Sequence, residues 1–146
     1  MILDSIKEQF KKKGFWKTIE FYFCRVMSKA ALKVVGTYAA NHGKLHRNYI
    51  VFKNRTMQDM TDNARAFFEY LVHNEAYKNY QIIWMVSDKR KFRKCKYKNV
   101  KFVTAESRNG WTSPLAYYYG AVSGFFFYTN NTAYLNLHHC PGQITV

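Results

Sequence analysis

Apolar and polar residues alternate along this chain in blocks that predict strands and helices in turn. Residues 49–52, Tyr-Ile-Val-Phe, form a short β-branched and aromatic run that is typical of a strand buried on both faces. A polar turn at residues 53–56 follows, and apolar residues then recur with the spacing of one helical face: Met60, Ala64, Phe67, Phe68 and Leu71. Residues 81–86 form a second run of the buried-strand type, so this stretch predicts a strand–helix–strand unit of a parallel sheet.

The rest of the chain continues the alternation. Residues 100–104 form a third strand candidate, and Pro114 suits the first position of a helix that runs to Val122. Residues 125–129 form a fourth strand candidate, and the last residues before Val146 begin a fifth. Residues 49–146 are therefore predicted to form an α/β domain on a Rossmann-like parallel sheet. Residues 37–48, which contain turn formers and little apolar periodicity, are predicted to link it to the preceding segment.

Residues 1–36 differ from this domain, because bulky apolar residues recur every three or four positions while lysine and arginine interrupt every long apolar run. A membrane-spanning helix, which needs ~20 apolar residues, is excluded. The pattern predicts basic amphipathic helices that lie in the headgroup region of an acidic membrane. The alternative is a helix docked on the protein's own sheet with its lysines in solvent. The candidate membrane-binding residues are Lys11, Lys12, Lys13, Phe15, Trp16, Lys17, Phe23, Arg25, Lys29 and Lys33.

The charge of the chain narrows the class of partner. The net charge of +14 favours anionic partners such as phosphate polymers, acidic lipid or nucleic acid. The densest cationic stretch is residues 89–98, which on its own is typical of a nucleic-acid-binding patch; the alternative is a solvated loop or short helix between two strands. Three cysteines, odd in number and far apart, indicate reduced thiols in a cytosolic protein.

Polar and cationic residues follow the predicted strands at the edge where α/β sheets bind ligands. Cationic side chains and the free N–H groups of helix starts both bind phosphate. The candidate phosphate-binding residues are Lys53, Asn54, Arg55, Thr61, Asp62, Asn63, Arg108, Asn109 and Asn130. The sequence contains no glycine-rich phosphate loop, nucleophile elbow or Cys-x-x-Cys pair, so it assigns no catalytic residue, metal ligand or cofactor.

Several local motifs occur in a recognisable order between residues 48 and 146. They are Ile-Val-Phe at 50–52, Asp-Asn at 62–63 with Glu-Tyr-Leu at 69–71, Ile-Trp-Met-Val at 83–86, a tyrosine-rich helix at 115–121, Tyr-Thr-Asn at 128–130 and Gly-Gln at 142–143. This order resembles the amino-terminal half of the CDP-glycerol glycerophosphotransferase family, the teichoic-acid primases and polymerases with a two-domain GT-B fold. Residues 53–55 depart from the family pattern, in which many members carry Glu-Ser and a glycine. The sequence ends where the family's Trp-His-Gly-Thr motif would begin.

The resemblance implies in-line transfer of glycerol phosphate or ribitol phosphate from CDP to a hydroxyl at the end of a lipid-linked polymer. It implies a peripheral location at the cytoplasmic face of the bacterial plasma membrane. In such enzymes the catalytic histidine belongs to the Trp-His-Gly-Thr motif and the CDP-alditol site to a second domain. We therefore expect this chain to be an acceptor-side domain that is inactive alone, with an acidic membrane and a lipid-linked phosphate polymer as partners. The alternatives are a small basic nucleic-acid-binding α/β module and a non-catalytic interaction domain.

Overall fold

Helices and strands alternate along the chain in the order that the sequence predicts. The computed structural model describes residues 14–54, 62–95, 97–106, 111–129 and 138–146. Two short 3-10 helices, Glu75–Tyr77 and Lys89–Phe92, precede and follow the second strand. The longer elements are helix α1 (Phe15–His42), strand β1 (His46–Lys53), helix α2 (Asp62–His73), strand β2 (Gln81–Val86), strand β3 (Val100–Thr104), helix α3 (Pro114–Val122), strand β4 (Ser123–Tyr128) and strand β5 (Ile144–Thr145).

The five strands form one parallel sheet in the order β3-β2-β1-β4-β5. Strand β1 connects through α2 to β2 on one side, whereas β4 and β5 lie on its other side. The direction in which strands are added therefore reverses between β1 and β4. This arrangement confirms the predicted Rossmann-like α/β sheet.

Each face of the sheet has its own core. On one face, α2 packs Phe68 and Leu71 against β1 and β2, where Phe52 stacks on Trp84 with ring centroids 5.0 Å apart. On the other face, α1 and α3 pack Leu32 and Tyr117 against the opposite side chains of the same strands. Because successive side chains of a strand point to opposite faces, the continuous apolar runs of β1 and β2 supply both cores.

Specific local residues set the start of helix α3 and the position of strand β5. Pro114 is the first residue of α3, as predicted, and the Ser113 side chain accepts a hydrogen bond from the Ala116 N–H. Before β5, Gly142 has a φ of +89°, a conformation that side chains other than glycine rarely adopt. The Gln143 amide then donates to the Gly120 carbonyl, and to the carbonyl and hydroxyl of Ser123 at 2.9 and 3.0 Å. The Gly-Gln pair therefore fixes β5 to the corner between α3 and β4.

Helix α1 corrects the predicted boundary between the amino-terminal segment and the α/β domain. The helix continues to His42 and β1 begins at His46, so most of residues 37–48 is not a linker. Its buried face carries small residues at helical spacing, and Gly36 lies so close to α3 that a Cβ there would be 2.6 Å from Tyr117 Cε1. Gly36 therefore permits close helix–helix contact. Residues 15–42 are thus part of the packed structure.

The apolar row predicted for α1 does not form this contact. Phe15, Ile19, Phe23, Val26 and Val34 are all exposed, whereas the buried positions are Thr18, Ser28, Leu32, Gly36 and Ala39. The helix therefore docks on α3, whereas the alternative interpretation placed it on the sheet, and it does so through a different face from the apolar row.

Candidate functional site

An open cleft lies at the carboxyl ends of β1 and β4, where the strand order reverses. Its volume is about 580 Å³. Doubly wound sheets bind ligands at such a switch point, because the loops on either side of it diverge and leave a crevice. The cleft is therefore the candidate site. Its lining comes from the ends of β1, β4 and β5 and from the first turns of α2: Phe52, Asn63, Ala64, Phe67, Phe127, Tyr128, Thr129 and Val146.

Three phenylalanine rings form the apolar wall of the cleft. Phe52 stacks on Phe127 with centroids 5.3 Å apart and ring planes 18° apart. Phe67 tilts against both rings, at 5.9 and 4.9 Å. These contacts hold the rings in fixed orientations, since Phe52 is itself stacked inside the core on Trp84. Phe67 and Phe127 are partly exposed and can pack against the carbon skeleton of a ligand, whereas Phe52 is fully buried behind them.

The polar groups of the cleft lie at the start of α2 and directly after β4. Asn63 lies in the first turn of α2 and is exposed, and Thr129 directly follows β4 and is also exposed. The first-turn N–H groups and the positive end of the helix dipole favour an anion at this position. The Thr129 N–H donates to the Lys53 carbonyl at 3.3 Å, which continues the pairing of β4 with β1. The cleft thus suits a ligand that has both carbon and phosphate parts.

The prediction that Lys53 begins a polar turn is wrong, because β1 extends through this residue. Its side chain is 2% exposed, and it lies on the α1–α3 face, since Phe52 before it faces the cleft. Burial lowers the pKa of the Lys53 ammonium to about 8, and the negative charge of Glu106 partly opposes this effect. Asn54 is 1% exposed. Neither side chain lines the open cleft.

Among the described candidates for phosphate binding, Asn63 is the residue that lines the cleft. Asp62 begins α2, but its side chain lies outside the described part of the structure. The phosphate-binding role of all these residues stays a prediction. The candidates that lie outside the described residues are Arg55, Thr61, Arg108, Asn109 and Asn130.

Sequence reasoning missed the aromatic lining of the cleft. The sequence predicts Phe67 on the apolar face of a helix and Phe127 in the fourth strand, but an apolar side chain gives the same pattern in a core and in a cleft. Both residues are only partly buried. The signal that could have identified the cleft is the position of Phe52 and Phe127 at the carboxyl ends of neighbouring strands.

A second exposed surface runs along α1. Trp16 and Phe23 are 79% and 64% exposed, and Phe15 lies beside them with its ring edge against Trp16. The cations Lys17, Arg25, Lys29 and Lys33 are exposed on the same helix. Lys11, Lys12 and Lys13 lie outside the described residues. A membrane-binding role for this surface stays a prediction.

The described helices include none with both the length and the apolar character needed to cross a bilayer.

Comparisons with known proteins agree with the resemblance found in the sequence. Residues 37–142 match the family described as CDP-Glycerol:Poly(glycerophosphate) glycerophosphotransferase. A comparison with curated proteins finds no match. Among solved structures, the chain is similar to the wall teichoic acid polymerase TagF soaked with CDPG, with a TM-score of 0.61 and 18% identity. The match covers 90% of this chain and 31% of the TagF chain, and at this identity it shows the shared fold.

Proposed function

The chain belongs to the CDP-glycerol:poly(glycerophosphate) glycerophosphotransferase family, and on that premise we propose that it is the acceptor-side domain of a teichoic-acid-type alditol phosphotransferase. Its role is to hold the end of a phosphate polymer while an alditol phosphate is transferred to the terminal hydroxyl. The observation that carries the proposal is the cleft at the switch point between β1 and β4.

The composition of the cleft supports an alditol phosphate as ligand. The partly exposed rings of Phe67 and Phe127, which pack on the buried ring of Phe52, provide contact for the carbon atoms of a terminal alditol unit. The first turn of α2, which carries Asn63, provides N–H groups and a positive dipole for the adjoining phosphate. Bound in this way, the terminal hydroxyl is oriented for attack, and orientation is a large part of the catalysis of phosphoryl transfer.

The proposal assigns the CDP-alditol donor to a part of the enzyme other than these 146 residues, and so expects no transfer by this chain alone. Two observations support this division. The chain spans 31% of the TagF chain, whose structure was obtained with CDPG. The cleft wall is formed by phenylalanine rings, which suit the acceptor end better than a charged pyrophosphate.

The exposed surface of α1 gives the domain a means of staying near a lipid-linked acceptor. Its aromatic residues, among them Trp16 and Phe23, can enter the headgroup region, and its lysines can contact anionic lipids. The docking of α1 on α3 leaves this apolar row exposed rather than burying it. The proposal therefore includes peripheral association with an acidic membrane.

Filling the cleft tests the acceptor assignment. Asn63→Trp places a large ring in the cleft, whereas Ala66→Trp places the same ring on an exposed position of α2 that does not line it. Binding of a short glycerol phosphate oligomer, measured by calorimetry, is expected to weaken at least about tenfold in Asn63→Trp, since one well-packed contact site is lost. Ala66→Trp is expected to bind like the unmodified chain. Equal binding by both variants would refute the assignment.

A further inference from the structure

The stretch between β2 and β3, residues 89–98, presents an unusual density of positive charge. We call it the cationic segment. Arg90 pairs with Asp88, with nitrogen–oxygen distances of 3.0 and 3.1 Å. Within the described part of the chain, no ion pair within 4.0 Å is formed by the other cations of the segment. Its exposed, described cations are Lys89, Arg90, Lys91, Arg93, Lys94 and Lys98.

Contacts with the body of the domain hold the segment in place. Phe92 stacks on Phe102 of β3 with centroids 4.8 Å apart and planes 10° apart. Tyr97 meets Phe68 of α2 edge-on at 5.5 Å. The Lys89 N–H donates to the Thr104 hydroxyl at 3.1 Å, which ties the start of the segment to the end of β3. The rings therefore contact the domain while the cations face solvent.

The segment runs along the sheet from one edge to the other. It begins beside Thr104 at the carboxyl edge, where the cleft also lies, and it leads to Val100 at the amino edge. Five residues of β3 separate these edges, which is about 16 Å at the usual rise per residue. Its contact with Phe68 places it on the α2 face, the same face as the cleft. Strand β3 is two strands away from β1, or about 10 Å.

We propose that the cationic segment binds the body of the acidic polymer whose terminal unit lies in the cleft. The ligand is a poly(alditol phosphate), which carries one negative charge per repeat and no aromatic base. The inference rests on the proposed function, because it extends the same ligand away from the cleft. Its physical basis is a row of exposed cations on the face and edge that the cleft shares.

The orientation of the rings favours this polymer over a single-stranded nucleic acid. Proteins that bind single strands combine cations with exposed aromatic faces on which bases stack. In the cationic segment, Phe92 is already stacked on Phe102, and Tyr97, which is 37% exposed, packs perpendicular to the ring of Phe68. The segment thus offers many exposed cations and one partly exposed ring, a balance that suits a charged polymer without bases better than a strand of stacked bases.

A comparison of polymer lengths separates the segment from the cleft. Calorimetry on the 146-residue chain would compare lipid-free poly(glycerol phosphate) of many repeats with an oligomer of one or two repeats. We expect the long polymer to bind more tightly, and the double charge reversal Arg93→Glu with Lys94→Glu to weaken it about fivefold, since exposed ion pairs are individually weak. Short-oligomer binding is expected to stay unchanged. The control Lys44→Glu with Lys78→Glu makes the same change in net charge at exposed positions outside the segment and the cleft, and it is expected to have little effect.

The exposed thiol of Cys95 gives an independent readout inside the segment, and buried Cys140 is its internal control. Saturating polymer is expected to slow alkylation of Cys95 by neutral iodoacetamide and to leave that of Cys140 unchanged. An unchanged Cys95 rate, or equal losses in both charge-reversed variants, would overturn the inference while leaving short-oligomer binding, and with it the proposed function, intact. If the unmodified chain does not bind the short oligomer at all, both the inference and the proposed function are overturned. Tighter binding of single-stranded RNA than of polymer, lost on charge reversal of the segment, would overturn the choice of ligand.

Discussion

Gly36 gives the sharpest test of how α1 joins the α/β domain. A Cβ added to this residue would be 2.6 Å from Tyr117 Cε1, 3.0 Å from the Tyr117 hydroxyl oxygen and 3.0 Å from His138 Cβ. Carbon atoms in favourable contact lie about 3.5–4.0 Å apart, so the first of these contacts is roughly 1 Å too short. Tyr117 is 1% exposed and packed against the sheet, so its ring cannot move into solvent. The substitution Gly36→Ala must therefore separate α1 from α3 or distort the core.

Two opposing effects decide the result. Replacing glycine by alanine in a helix interior stabilises a protein by about 1 kcal/mol through helix propensity alone. Overpacking of a well-packed contact costs about 1–3 kcal/mol. We expect the steric cost to exceed the propensity gain, with a net loss of about 1 kcal/mol in the free energy of unfolding. For a domain of this size the loss corresponds to a fall of about 3–5 °C in Tm.

Thermal unfolding followed by circular dichroism, with urea unfolding as a second measurement, gives the sign of the effect. Thr37→Ala is the matched control, because Thr37 is the exposed neighbour of Gly36 on the same helix. The control is expected to raise Tm slightly through propensity. A rise in Tm for Gly36→Ala as well would refute the close contact between α1 and α3.

Three further predictions concern Lys53, Gln143 and α1. The folded pKa of Lys53 is about 8 against 10.5 when unfolded, so the unfolded chain binds this proton more tightly and stability rises with pH between these values. Urea unfolding at a series of pH values measures this effect. Over this interval, the free energy of unfolding of the unmodified chain is expected to rise by at most about 3 kcal/mol more than that of Lys53→Met. Gln143→Ala, which loses the bonds to the α3–β4 corner, is expected to cost about 1–3 kcal/mol in the same assay. Trp16→Ala is expected to weaken cosedimentation with phosphatidylglycerol vesicles about tenfold, because an exposed aromatic anchor is lost.

Each of these predictions has an outcome that contradicts it. The prediction for Lys53 would be contradicted if the free energies of unfolding of the unmodified chain and of Lys53→Met changed by equal amounts with pH. For Gln143 the control is Asn48→Ala, because the Asn48 amide makes one long surface hydrogen bond of 3.5 Å to the Asn79 carbonyl. Equal losses of unfolding free energy in Gln143→Ala and Asn48→Ala would contradict the prediction. For Trp16, the control is Leu115→Ala, which removes an exposed apolar side chain from α3; an equal loss of vesicle binding would contradict a specific role for α1.

The sheet could be predicted from the sequence because its strands carry the strongest local signals. The run at 81–86 coincides with β2, since a strand buried by helices on both faces is continuously apolar. The run at 100–104 coincides with β3, an edge strand in which Lys101 is exposed. The start of α3 at Pro114 was predictable for a different reason, because proline at a first helical position loses no hydrogen bond.

The docking of α1 and the cleft could not be predicted in the same way. The contact of α1 with α3 depends on Gly36 and on small neighbours, and the absence of a side chain leaves no hydrophobic pattern. Lys53 looked like the start of a loop because it is charged, yet strand pairing with Met85 and Tyr128 carries it into the interior. The aromatic residues of the cleft could not be distinguished from core residues, since only the three-dimensional arrangement shows which rings remain accessible.

The central claim is that these residues form the acceptor side of an alditol phosphotransferase. Isothermal titration of the 146-residue chain with a glycerol phosphate oligomer and, separately, with CDP-glycerol tests it most directly. The claim predicts saturable binding of the oligomer that weakens as salt rises, and no binding of CDP-glycerol over the same concentration range. Tight binding of CDP-glycerol together with no binding of the oligomer would contradict it.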